Sequence, residues 1–302
     1  MPQALPHALG RLGSQLGVAF MRLLSPLPLP LVRGLGWALG WVLYALVAPR
    51  RKVVHTNLLL CFPELPTQQR RALAQQCFVY FAQAWLDRSW LWHGSAAQVA
   101  RRLQLRGAEA LQTAQPVVLF APHFMGLDAG GTALSMLQER TLCSIYTDQA
   151  NKVIDAWIYA GRQRFGAPQL YGRIDGVRPV LRGLKNGQAL YLLPDMDFGP
   201  EDSIFVPFYG LPTATVPSVA RFARMSGALV LPVVTRMTRS GYQVDVLPAW
   251  ERFPSGDTPA AIEADTARMN RELQSYIATM PAQYYWVHKR FKTRPAGAPS
   301  VY

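Results

Sequence analysis

The stretch Val117-Val118-Leu119-Phe120-Ala121-Pro122-His123-Phe124-Met125-Gly126-Leu127-Asp128 decides the class of fold. Its short apolar run, Val117 to Ala121, reads as a strand. A proline ends the run, Gly126 supplies backbone freedom for a turn, and a helix follows from about Asp128 to Glu139. The alternation repeats downstream. Strands are expected at Leu142–Tyr146, Ala189–Leu193, Leu229–Val234 and Tyr242–Leu247, and helices at Lys152–Arg164, Arg178–Lys185, Pro217–Met225 and Thr258–Thr279. Strands alternating with helices predict an α/β layer structure, a mixed sheet flanked by helices.

Upstream the pattern is helical. Thr67 to about Trp92 carries apolar residues at helical spacing, with Thr67 the expected N-cap after Pro66, and Ser95 opens a short helix ending near Leu103. Earlier still, Gly34 to Ala48 reads GLGWALGWVLYALVA without a charge. A full membrane span needs about 17 to 25 apolar residues, so this segment is marginal. It is expected to be a hydrophobic anchor helix, tilted across the bilayer with Arg33 snorkelling or half-embedded, with Trp37, Trp41 and Tyr44 at the interface. A buried core helix is the alternative. Arg50, Arg51 and Lys52 follow directly and would hold the main body on the cytoplasmic side. With no repeat or low-complexity linker downstream, the division expected is an anchor region at 1–65 and one catalytic domain at 66–302.

Composition narrows the function. The 302 residues carry a net charge of +13 while only 16% are charged and 50% are apolar, a basic protein on an apolar background. That combination points to a membrane surface. No Cys/His finger, basic heptad or RNP-like strand is present, so nucleic acid is not expected. Cys61, Cys77 and Cys143 are odd in number and lack C-x-x-C spacing, which suits neither a disulfide framework nor a zinc site.

His123 and Asp128 carry the first candidate chemistry. Five residues of regular helix turn about 500° and would part them, but a bend at Gly126 would bring them together. A carboxylate bonded to one imidazole nitrogen fixes the tautomer and makes the other nitrogen a base. Taken alone, the pair fits a structural histidine and an ordinary helix N-terminal charge better than a catalytic pair.

The segment resembles the H-x4-D signature of the glycerolipid and lysophospholipid acyltransferase superfamily. From about residue 30 to the C-terminus the chain resembles one branch, the late acyltransferases of lipid A biosynthesis. The resemblance is carried by Gly161-Arg162-Gln163-Arg164-Phe165-Gly166, by Pro194-Asp195-Met196-Asp197-Phe198-Gly199-Pro200 with Ser203 to Phe208, and by Tyr285-Trp286-Val287-His288-Lys289-Arg290-Phe291-Lys292-Thr293-Arg294-Pro295. It implies a glycerolipid acyltransferase-like fold with one N-terminal anchor. It also implies transfer of a fatty acyl chain from acyl carrier protein to a hydroxyl of a lipid A precursor at the cytoplasmic face of the inner membrane. Many members have Glu where Asp128 stands, which leaves the sub-branch open. The acceptor could instead be a lysophospholipid or another glycolipid, or the chain a non-catalytic adaptor.

Such a transfer needs a base, an oxyanion stabiliser and a dry slot for the chain. No G-x-S-x-G elbow occurs and no cysteine stands beside a histidine, so direct attack without an acyl-enzyme is expected. His123 would take the hydroxyl proton and Asp128 would orient it. By its match to the family's second motif, Arg164 would stabilise the oxyanion or hold an acceptor phosphate, ahead of Arg162. Asp195, just past a strand, would position an arginine, with Asp197 beside it; the two do not amount to a Mg²⁺ site, and no cofactor is expected. Phe198, Phe205, Phe208 and Tyr209 would wall the acyl slot or simply fill core. Lys289 and Arg290, with His288, Lys292 and Arg294, form a C-terminal basic cluster for headgroups, acceptor phosphates or the acidic carrier, or else a solvated tail.

Overall fold

Neighbouring strands in the centre of the sheet follow from the sequence itself: VVLF and ALYL are apolar at every position and fully buried in the structure. The computed structural model describes residues 4–302, with side chains from Gly10 onward. Helices α1 (Ala4–Leu24), α2 (Leu29–Leu46), α3 (Ala48–Cys61), α4 (Thr67–His93) and α5 (Ala96–Arg102) come first, then β1 (Leu103–Arg106). Next are β2 (Val117–Phe120), α6 (Leu127–Leu137), β3 (Leu142–Tyr146), α7 (Lys152–Arg162), β4 (Gln169–Gly172), α8 (Arg178–Lys185) and β5 (Ala189–Leu192). The chain ends with β6 (Ile204–Phe208), β7 (Leu211–Thr215), α9 (Ser218–Ser226), β8 (Leu229–Thr238), β9 (Gly241–Val246) and α10 (Pro259–Thr279).

Seven strands form one mixed sheet in the order β1-β9-β8-β2-β5-β3-β4, in which β8 and β9 pair antiparallel and every other pair is parallel. Side chains alternate across it. Val118, Phe120, Leu190 and Leu192 pack on one face with residues of α8, α9 and α10. Val117, Leu119, Ala189 and Tyr191 pack on the other with residues of α4, α6 and α7, together with Met21, Leu24, Leu29 and Val32 from α1 and α2. The expected α/β class with a helix-flanked mixed sheet is what the structure shows.

Four strands escaped the sequence pattern. β1 and β4 have only four residues each and partly exposed side chains. The β6–β7 hairpin hid behind Pro207 and Pro212, which normally speak against strands. In the structure the two prolines face each other across the ladder, and the next pair, Phe208 and Leu211, closes on the tight turn Tyr209-Gly210. That puts the proline pair at the non-hydrogen-bonded register, where a missing N–H costs nothing.

The N-terminal helices are stitched to this body. Gly40 sits so close to α4 that a Cβ would lie 2.5 Å from the Cα of Val79, so the two backbones touch where only glycine fits. Arg33 is not snorkelling. Its guanidinium clasps Asp87 of α4 at 2.7–3.0 Å and donates to the carbonyls of Thr238 and Gly241, while Tyr242 Oη and Trp90 Nε1 also donate to Asp87. Asp87 is 1% exposed, and breaking a pair at such depth costs about 3–5 kcal/mol. Thr67 makes no capping bond; Pro66 occupies the cap position, and Arg70 instead satisfies the carbonyls of Phe62, Pro63 and Leu65 at the α3–α4 turn. Much of what α1 and α2 leave outside is apolar: Leu16, Phe20, Leu23, Leu35, Trp37 and Leu46 are all exposed, with Arg11, Gln15 and Arg22 among them on α1. Among the described residues α2 is the one helix long and apolar enough to cross a membrane.

Candidate active site

β2 and β5 are parallel neighbours in the register Phe120 to Leu192, and each runs into a three-residue exit of the same form, Ala121-Pro122-His123 and Leu193-Pro194-Asp195. Equal offsets from a paired position deliver His123 and Asp195 to the same place at the carboxyl edge of the sheet. His123 Nδ1 lies 2.7 Å from Asp195 Oδ1, and the His123 backbone N–H donates to the same carboxylate at 3.0 Å. Tyr284 Oη donates to Asp195 Oδ2 at 3.0 Å from a fully buried ring.

Burial alone would raise the Asp195 pKa, but the His123 ring and these hydrogen bonds outweigh it and hold the carboxyl below its ordinary range. An ionised carboxylate only accepts, so the ring proton sits on Nδ1 and Nε2 is left as the basic nitrogen. The imidazole is partly open, its side chain 18% exposed over a carboxylate that is sealed. The loop is held in turn by the chain's C-terminal segment. Tyr285 N–H donates to the His123 carbonyl, Met125 N–H donates to the Gln283 carbonyl, and Phe124 bridges Tyr284.

The partner expected for His123 was Asp128, and there the structure corrects the sequence. Asp128 stands in the first turn of α6 with both oxygens committed elsewhere: Arg88 of α4 reaches Oδ2 at 2.6–2.8 Å and Arg162 Nε reaches Oδ1 at 2.9 Å. Desolvation pushes its pKa up, yet the two guanidinium charges more than offset this and bring it to about 2. Gly126 is required for a different reason than expected. Its φ of −87° is open to any residue, but a Cβ there would stand 2.7 Å from Thr235 and Tyr242. Asp195 was expected to position an arginine; its partners are a histidine and a tyrosine, and the arginine-holding acid is Asp128.

Arg88 and Tyr284 lay outside the sequence reading. Arg88 lies over the rings of Trp85 and Trp92 at 4.6 and 5.5 Å, one turn of α4 either side, which is the signal its spacing offered. Tyr284 directly precedes the quoted C-terminal motif.

Asp128 and Arg162 border a small cavity of about 50 Å³ that shares Ser144, Tyr191 and Leu193 with a larger cleft of about 300 Å³. The cleft runs past Pro194, directly before Asp195, and its walls include Ile145, Leu192, Phe198 and Phe222. Phe198 is thus a wall. Phe208 is core at 0% exposure, Phe205 is outside, and Tyr209 packs on Phe62. The three cysteines are buried, and burial pushes Cys77 and Cys143 up to about 12, which deprives the protein of a ready thiolate.

Other expected site residues are structural in their contacts. Arg164 donates to the carbonyls of Leu91 and Gly94 at the end of α4, and borders a separate shallow cleft beside α1 and α7. Asp197 accepts from Gly199 N–H and from the Thr293 N–H and hydroxyl, tying down the C-terminal segment. Arg290 is 1% exposed and donates to the Ala214 carbonyl and Thr215 Oγ1, so it cannot reach a headgroup. His288 is pushed down to about 4 by burial and by Arg290, and its Nε2 accepts from Asp197 N–H as a neutral ring. Of the basic cluster, Lys289 and Lys292 remain exposed, Lys289 beside the Tyr302 ring. Among the described residues no group of three His, Cys, Asp or Glu side chains is gathered for a metal ion.

Comparison with known proteins places the whole chain in a family. The profile of a family described as "Bacterial lipid A biosynthesis acyltransferase" matches residues 5–293. The chain is 34% identical to the lipid A biosynthesis lauroyltransferase of Escherichia coli strain K12, over 95% of this chain and 94% of that one. It is 30% identical to the lipid A biosynthesis palmitoleoyltransferase of the same strain, over 95% and 93%. Among solved structures, the 1-acyl-sn-glycerophosphate acyltransferase PlsC of Thermotoga maritima overlaps with a TM-score of 0.36 and 14% identity across 82% of this chain and 97% of that one, too loose a fit to add to the sequence match. The chain belongs to the bacterial lipid A biosynthesis acyltransferases, and it is an acyltransferase.

Proposed function

We propose that the protein transfers a fatty acyl chain from acyl carrier protein to a hydroxyl of a lipid A precursor, with His123 as general base. The supporting observation is the 2.7 Å bond between His123 Nδ1 and Asp195 Oδ1, which leaves Nε2 as the basic nitrogen. The acceptor hydroxyl gives its proton to Nε2 as its oxygen attacks the thioester carbon. Negative charge collects on the carbonyl oxygen. When the tetrahedral intermediate collapses the C–S bond breaks, and the proton on Nε2 passes to the departing sulfur.

Arg162 meets the developing oxyanion or an acceptor phosphate. Asp128 fixes its Nε, leaves its terminal nitrogens free, and the side chain is 33% exposed. Arg88 completes the clamp. The apolar cleft beside Pro194 receives the acyl chain. The body sits on the cytoplasmic face of the inner membrane through the exposed apolar edges of α1 and α2. The packing of α1 on α7 and the Arg33–Asp87 pair support a helix pair lying in the interface over one that crosses.

The test supplies several acyl carrier protein thioesters to a tetra-acyl lipid A precursor and reads product masses. One added acyl group on that precursor is expected. Acylation of a lysophospholipid alone would refute the acceptor, and no thioester consumption over long incubation would refute catalysis.

A further inference from the structure

The cleft beside Asp195 opens onto a basic face. Arg173 and Arg221 border its mouth, and Arg178, Arg182 and Lys185 extend the charge along α8. All five are exposed, and none forms an ion pair among the described residues. Acids nearby are few and partly engaged: Asp175 accepts from Gly172 N–H, Asp257 pairs with Arg224, and Asp202 lines the mouth. Apolar side chains stand among the cations. Ile174 is 98% exposed, Met225 is 48% exposed, and Arg173 lies 4.3 Å over the ring of Phe198. Cations around exposed apolar anchors match an acidic protein surface with an apolar centre.

The layering says which partner this face is left to. α8 and α9 cover the sheet face opposite to the one that carries α1 and the first turn of α2, while the far end of α2 reaches the α8–α9 side at Tyr44. A bilayer that grips the apolar edges of α1 and α2 leaves α8 and α9 to a soluble partner.

We propose that acyl carrier protein docks on the α8–α9 face, at the mouth of the cleft that receives the acyl chain, and presents its thioester to His123 from there. This rests on the donor assigned above. The face lies outside the reacting groups, so disturbing it acts on capture of the carrier and not on the chemistry.

The experiment uses the full-length protein in membranes with Arg178→Glu/Arg182→Glu, and two donors: a lauroyl thioester of acyl carrier protein and a lauroyl thioester of bare phosphopantetheine. For the carrier the KM rises about tenfold or more with kcat retained, and added salt reproduces part of the rise in the wild type. For the bare thioester both constants stay within about twofold, because no charged surface is exchanged. Arg101→Glu, an equal charge change per site on α5, leaves the carrier KM in place. An unchanged carrier KM in the double variant overturns the docking face. Equal losses with both donors also overturn it, since the residues would then act on the cleft. Loss of binding to anionic phospholipid vesicles with the carrier KM intact gives the face to the membrane instead. A wild type that uses bare thioester but not the carrier removes the donor assignment, and this surface with it.

Discussion

The bend from Pro122 to Asp128 and the C-terminal segment from Tyr284 to Arg294 look alike in sequence. Each has a histidine close to an aromatic and a charged residue. Folded, they take opposite parts. At the bend the imidazole is partly open over the buried carboxylate of Asp195; in the C-terminal segment the imidazole accepts a backbone N–H and the arginine at 290 is closed inside. The first keeps a reactive nitrogen for a substrate. The second spends its polar groups on holding the first in place, through Tyr284 on Asp195 and Tyr285 on the His123 carbonyl.

His123→Ala breaks that contrast at its strongest point: turnover should fall about 10³-fold or more while the protein stays folded and membrane-bound. Asp195→Asn comes next. It leaves shape intact but frees the ring to take the other tautomer, and kcat should fall several hundredfold, roughly, in the same mass-resolved assay. Arg290→Ala should move stability instead. Loss of its bonds to Ala214 and Thr215, with the void left behind, should cost about 3 kcal/mol in denaturant unfolding, with kcat per folded molecule retained.

Smaller still is the acid limb from Asp128. Its folded pKa of about 2 lies below the ordinary 3.8, so its stabilisation is complete above about pH 4 and is lost as pH falls toward 2. That is about 2 kcal/mol, and Asp128→Asn should flatten this limb of the stability curve. Lys289→Ala, at an exposed residue that forms no ion pair among the described residues, should shift neither stability nor turnover beyond about 0.5 kcal/mol.

The layers of this fold were legible because β2, β5 and β8 are apolar runs that periodicity cannot miss, while β1 and β4 are too short and β6–β7 is masked by paired prolines. In the site, sequence nearness misled. His123 and Asp128 are five residues apart and bond to different partners; His123 and Asp195 are 72 apart and share a proton. The clue to the true pair was in the text all along, as Ala-Pro-His and Leu-Pro-Asp after two apolar strands. It becomes readable only once those strands are known to be parallel neighbours in register. Arg290 shows the converse limit: composition counts a cation and cannot say that folding has sealed it.

The central claim is that Asp195, across the sheet, fixes the His123 proton on Nδ1. Nitrogen NMR of protein labelled in its histidine rings, with His123 assigned by His123→Gln, measures this directly. The Nδ1-protonated tautomer is expected in the wild type and in Asp128→Asn, and its loss in Asp195→Asn. A proton on Nε2 in the wild type, or a tautomer that follows Asp128 and ignores Asp195, would contradict the account.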